Sequence, residues 1–120
     1  MTNHNIEYPA DVIRELSFIR TESEKGVAYL AEAETKAVKL YLDAELFEAK
    51  EFIKAIGTVA DRQATAKIFS YDKRVEAEIA KIEVNRIKTK LRQLSESLHA
   101  TQTAGKMIEL QWRTAGVGER

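Results

Sequence analysis

Cysteine is absent from the 120-residue chain, which excludes disulfide scaffolds, thiol catalysis and thiolate-held zinc or iron–sulfur centres. Histidine occurs only as His4 and His99, which leaves little for an imidazole metal site. No apolar run is longer than Val27–Ala31, far below the ~18 residues that cross a bilayer, so no membrane partner is expected. Net charge is also lacking, because 19 Lys and Arg balance 19 Asp and Glu. That balance argues against gripping nucleic acid by global charge, but it leaves room for a local basic patch. The opening Met1-Thr-Asn-His-Asn has no basic region followed by an apolar one, so no signal peptide is expected. With no cysteine either, the cytoplasm is the expected location, that of the host cell if the chain is phage-encoded.

Catalytic signatures are missing as well. There is no Walker A motif, GxGxxG, HExxH or GxSxG. The carboxylate pairs Glu32/Glu34 and Glu76/Glu78 stand at i, i+2, a spacing that does not put them on one helix face. His99 adjoins Leu98 beside an apolar seam and reads as a packed helix residue. No enzyme activity, metal or cofactor is expected.

Proline is confined to Pro9 and glycine to positions 26, 57, 105, 116 and 118. The long intervals between them are rich in Ala, Glu, Lys and Leu, which favours helix. Pro9 suits a first helical turn, where its missing N–H has no partner to lose. A first helix is predicted over about 9–56. Its apolar stripe runs through Val12, Leu16, Ile19, Val27, Leu30, Ala37, Leu40 or Tyr41, Ala44, Phe47 and Phe52. Gly26 is a weak point, although one glycine costs a long helix only about 1 kcal/mol. Gly57 suits a left-handed cap, Thr58 an N-cap, and Asp61 completes a capping box.

A second helix follows over about 59–113. Its later half carries a heptad at Val84, Ile87, Leu91, Leu94, Leu98, Thr101, Gly105, Ile108 and Trp112. Earlier, Ala64, Ile68, Tyr71 and Val75 form a separate stripe, and Ile79 and Ile82 depart from the later phase. A stutter or break near 80–84 is therefore expected. The fold class is all-α, a single domain made of a long helical hairpin or coiled-coil protomer. Two rods of about 70 and 80 Å enclose little volume, so the protomer is expected to assemble into a homo-oligomer. Leu91, Leu94, Leu98, Ile108 and Trp112 are assigned to that interface.

Charge is uneven along this frame. Residues 1–60 carry 11 acids and 7 bases, a net of −4, and residues 61–120 carry 8 acids and 12 bases, a net of +4. Lys81, Arg86, Lys88, Lys90 and Arg92 form the densest basic run, against Glu83 alone. A second group surrounds the turn: Lys50, Lys54, Arg62, Lys67, Lys73 and Arg74. Two readings stay open: a solvated face whose charges pair across the hairpin, or a phosphate track repeated in an oligomer. Phe69 is the best stacking candidate for bases. Tyr71 and Trp112 fall on apolar stripes and read as packing residues, and Tyr29 and Tyr41 as caps on the first helix's apolar face.

One stretch resembles a known family. It begins at Ala49-Lys50-Glu51-Phe52-Ile53 before the glycine turn. Ser70-Tyr-Asp-Lys-Arg-Val75 then has a Ser-x-Asp-Lys-x-Val pattern. A long helix follows with leucines at 91, 94 and 98, then an Ala104-Gly105 step, Ile108 and a basic, glycine-containing tail. Over about residues 44–118 this order is similar to the UvsY family of phage recombination mediators. The resemblance implies a homo-oligomer that binds single-stranded DNA and helps load a RecA-type recombinase onto strands covered by single-strand binding protein. It matches Lys50 to a DNA-contacting base of that family. Glu48 stands where a second base is expected. Lys54, Arg62, Lys67 and Arg74 join Lys50 as candidates by closeness to the turn alone. The alternative is a non-enzymatic coiled-coil adaptor or inhibitor that binds only protein.

Overall fold

A computed structural model of the chain describes residues 9–118. The Met1-to-Asn5 stretch with His4, and Arg120 of the basic tail, lie outside the described residues. The protein is all-α, with α1 spanning Pro9–Lys54 and α2 spanning Val59–Gly118. α1 stops two residues short of the expected end, although the Ala55 amide still donates to the Glu51 carbonyl at 3.0 Å. α2 runs past the expected end near 113, since nothing there terminates a helix as proline does. Neither Gly26 nor residues 80–84 interrupt a helix.

Contacts divide the chain into two compact units, residues up to Val27 with Thr89 onward, and Ala28–Lys88. The second unit is a helical hairpin. Its α1 half buries or half-buries Leu30, Ala33, Ala37, Leu40, Ala44 and Phe47, spaced alternately by three and four. Its α2 half does so with Ala66, Ser70, Ala77, Ala80, Val84 and Ile87, at the same spacing once the exposed Lys73 is counted between Ser70 and Ala77. This spacing is a coiled-coil seam, because alternate steps of three and four return to one helix face. Much of the seam is alanine, with Ser70 fully buried and Ala66 2% exposed. Small side chains let two helix backbones approach closely, and dispersion contact between them replaces bulky interdigitation.

The first stripe expected for α2 is displaced by this arrangement. Ile68, Tyr71, Ile79 and Ile82 are exposed at 72, 65, 61 and 58%, and Val75 and Ala64 are exposed too. The seam therefore has no stutter near 82, because Ala77, Ala80 and Val84 continue it and Ile79 and Ile82 lie on another face.

In the other unit, Val12, Leu16, Ile19, Ser23 and Gly26 of α1 share a seam with Leu91, Leu94, Leu98, Thr101, Gly105 and Ile108 of α2. Ile19, Thr101 and Ile108 are buried. Gly26, not the neighbouring Val27, takes the seam position, and Val27 is exposed. The reason is steric: a Cβ on Gly26 would sit 2.5 Å from Cδ2 of Leu91. Gly105 faces Val12 similarly, with a Cγ1 3.1 Å from where its Cβ would be.

Helix propensity alone predicts that a larger residue at Gly26 stabilises α1 by up to about 1 kcal/mol. The close approach of Leu91 predicts the reverse for Gly26→Leu, a loss of about 1–3 kcal/mol from overpacking. Denaturant unfolding of the two proteins decides between these signs. Relief of the loss by Leu91→Ala in the same chain identifies the contact.

Candidate functional site

The turn between the helices is fixed by local chemistry. Gly57 has φ of 121°, a conformation that costs a side-chain-bearing residue about 1–3 kcal/mol. The Asp61 amide donates to Thr58 Oγ1 at 3.1 Å, and the Thr58 amide donates to Asp61 Oδ2 at 3.4 Å. This is the capping box that the Thr58/Asp61 spacing anticipates. Arg62 then reaches back across the turn. Its Nε donates to the Phe52 carbonyl at 3.2 Å, and its guanidinium lies 4.3 Å from the Phe52 ring centroid.

The five candidate DNA-binding bases therefore separate. Arg62 is half-buried and clasps the turn, so its charge serves the fold. Arg74 donates to Glu48 Oε1 at 2.9 Å across the seam. Lys54 lies 3.8 Å from Glu51 one turn back on its own helix. Lys50 and Lys67 are exposed, and among the described residues neither has a carboxylate within 4 Å. Lys73 is also exposed and stands 5.2 Å over the Phe47 ring.

Glu48, the departure from the family pattern, takes part in this pairing: it accepts from Arg74 and lies 3.5 Å from the buried Ser70 hydroxyl, which also has the Lys67 carbonyl as an acceptor at 3.3 Å. The pairing is part of a longer pattern. Lys67, Arg74, Lys81 and Lys88 recur every seven residues along one edge of α2. Glu34 and Glu48 lie on the facing edge of α1, where Lys88 stands 3.9 Å from Glu34. Opposite charge on facing edges orients an antiparallel pair, as the charge asymmetry of the two sequence halves suggests. Each such pair is worth only about 0–1 kcal/mol at this exposure.

The residues assigned to an oligomer interface lie mostly within the chain. Leu91, Leu94 and Leu98 are half-buried and Ile108 is buried on the seam with α1. Trp112 continues their spacing but is 58% exposed. Tyr71 is exposed rather than packed, and so are Phe69, Tyr29, Tyr41 and His99. The Glu45 carboxylate pushes the pKa of the exposed Tyr41 phenol up, through its charge and through a hydrogen bond, while Arg74 opposes this.

Sequence reasoning missed the outer faces of the hairpin unit. At 100° per residue, Val38, Leu42, Leu46 and Ile53 of α1 share the side opposite its seam, and all are exposed. Ile68, Tyr71, Val75, Ile79 and Ile82 do the same on α2. On α2 the outer stripe is the one whose large residues read as the seam, whereas on α1 the expected stripe through Leu30, Ala37, Ala44 and Phe47 is the seam and the outer row is a second stripe beside it.

Among the described residues, no group of three or more His, Asp or Glu is placed to hold a metal. None of the described helices is long and apolar enough to cross a membrane. Compared with protein-family models, curated proteins and solved structures, the chain matches none.

The different employment of the bases predicts different costs of removal. Arg62→Ala lowers stability by about 1–2 kcal/mol, the loss of a part-buried charged hydrogen bond and a cation–π contact. Lys50→Ala and Lys67→Ala stay within about 0.5 kcal/mol of the parent. Urea midpoints of the three variants check this ranking.

Proposed function

We propose that the chain is a non-enzymatic, self-assembling helical protein that acts by binding other macromolecules. The observation that carries this reading is the pair of outer apolar stripes on the hairpin unit. Large side chains there face away from a seam built largely of alanine. Burying one such side chain contributes about 1.5–3 kcal/mol, and a contiguous exposed row of them marks an interaction surface. Homo-oligomer assembly through these rows follows from the same arithmetic, since a hairpin alone leaves them in water. Light scattering is expected to give a mass that is a multiple of 13.6 kDa. Leu42→Glu with Ile79→Glu is expected to reduce it to the protomer while helicity is retained. A wild-type monomer at micromolar concentration overturns the reading.

A second reading is that of a recombination accessory protein that binds single-stranded DNA. It is favoured by Lys50 and Lys67, exposed near the turn with no carboxylate partner among the described residues. The resemblance to the UvsY family supplies the rest of this reading: loading of a RecA-type recombinase onto strands covered by single-strand binding protein. Contact would be electrostatic and sequence-independent, with counterion release making affinity fall as salt rises. Anisotropy of a labelled oligo-dT is expected to report salt-sensitive binding that Lys50→Ala with Lys67→Ala weakens several-fold. No binding at low salt removes this reading and leaves the protein-only adaptor.

A further inference from the structure

The outer stripes of the hairpin unit carry charged borders, and the borders differ in a way that selects a partner. Beside the α1 stripe of Val38, Leu42, Leu46 and Ile53, one edge holds Glu34 and Glu45 and the other holds Lys39 and Lys50. Beside the α2 stripe of Ile68, Val75, Ile79 and Ile82, one edge holds Lys67 and Arg74, continued by Lys81 and interrupted by Glu78, and the other holds Asp72 and Glu83. All these border residues are exposed or half-exposed. The acidic edge of α1 and the basic edge of α2 lie on the same side of the hairpin, as Arg74–Glu48 at 2.9 Å and Lys88–Glu34 at 3.9 Å require.

From this geometry we infer that the outer stripe of α1 docks antiparallel on the outer stripe of α2 of a second copy. The inference rests on the self-assembly reading and specifies its interface. In an antiparallel pair, like-positioned edges face each other. An α1–α2 contact between copies then sets Glu34 and Glu45 against a basic edge, and Lys39 and Lys50 against an acidic one. An antiparallel α1–α1 contact sets acids against acids, and an antiparallel α2–α2 contact sets bases against bases. Parallel contacts between like helices are charge-compatible, but they need two different interfaces to cover both stripes. A single α1–α2 interface, repeated from copy to copy, covers both. It is head-to-tail, so each copy offers one stripe to each of two neighbours.

The lack of native cysteine makes the contact directly testable. Leu42→Cys and Ile79→Cys are made singly, the second with a size tag, and each is first checked for wild-type helicity and oligomer mass. The two are mixed to exchange and treated with a short bis-maleimide. The expected product is a covalent pair of mixed size, at least tenfold above same-size pairs, with neither variant cross-linking strongly alone. Predominant same-size pairs, or no pairs at all from an oligomer of wild-type mass, overturn the α1–α2 geometry and leave self-assembly standing. A monomeric mass for the wild-type chain overturns both. Glu45→Lys with Asp72→Lys provides a second readout. Two repulsive borders are expected to raise the concentration for half-assembly at low salt by tenfold or more, and salt should restore much of the loss. An unchanged assembly curve overturns the charge-selected orientation.

Discussion

Close approach of two backbones is the constraint on which the rest depends. Ala44, Ala66, Ala77 and Ala80, with Ser70 between, bring the helices of the hairpin unit together over small side chains. At Gly26 even a methyl group would meet Leu91. A seam of this kind has two consequences. It limits the apolar area that the pair can bury by itself, because alanine offers little more than one methyl group. It also limits how many bulky residues the seam takes: Leu30, Leu40, Phe47, Val84 and Ile87 find places there, and the rest are left outside. Exposure of Leu42, Leu46, Ile68 and Ile79 is thus the complement of a narrow seam in which small residues alternate with a few large ones.

The polar residues near the seam set its register. Hydrophobic contact between alanines is nearly indifferent to a slide of one heptad. Ser70, fully buried, and Glu48 supply the discrimination, with Arg74 closing the group at 2.9 Å. Shifting the pairing by seven residues would part Ser70 and Arg74 from Glu48, although the Ser70 hydroxyl keeps the Lys67 carbonyl of its own helix at 3.3 Å. The discrimination is therefore of the order of the exposed ion pair, about 0–1 kcal/mol. The turn adds a second anchor. Gly57, the Thr58–Asp61 box and Arg62 against Phe52 fix where α2 begins relative to the end of α1.

Much of this was legible in the sequence, and the illegible part has a single cause. Long helices, the turn with its cap, and the seam from Val84 to Ile108 follow from breakers, capping chemistry and large apolar residues at heptad spacing. The first half of α2 misleads because it carries two stripes. Ile68, Tyr71, Val75 and Ile79 dominate any hydrophobic reading, whereas Ala66, Ser70, Ala77 and Ala80 do the packing. Val27 eclipses Gly26 in the same way. Hydropathy ranks residues by transfer free energy, while a close seam selects by volume, and the two criteria disagree wherever small residues are interior. The basic candidates suffered a similar confusion. Type and position along the chain identify Arg62 and Arg74 as bases near the turn. Only the fold reveals that one grips a carbonyl and a ring and the other a carboxylate across the seam.

Those pairings bear on how a neutral chain would hold a polyanion. An exposed pair such as Arg74–Glu48, with side chains 52% and 35% accessible, contributes too little to lock its arginine away from a phosphate. The glutamate nevertheless stays beside any phosphate that approaches, so the local field is weaker than a count of bases suggests. Lys50 and Lys67 lack that neutralising neighbour, but two lysines on one protomer release few counterions and give weak binding. Affinity of a useful size would require repetition over several copies, and a docking that sets Lys50 and Lys67 against a neighbour's acidic edges works against it. On the nucleic-acid reading, strand binding and the α1–α2 docking of copies therefore compete for the same lysines, and the charge pattern of a single hairpin unit is too nearly balanced to hold a strand.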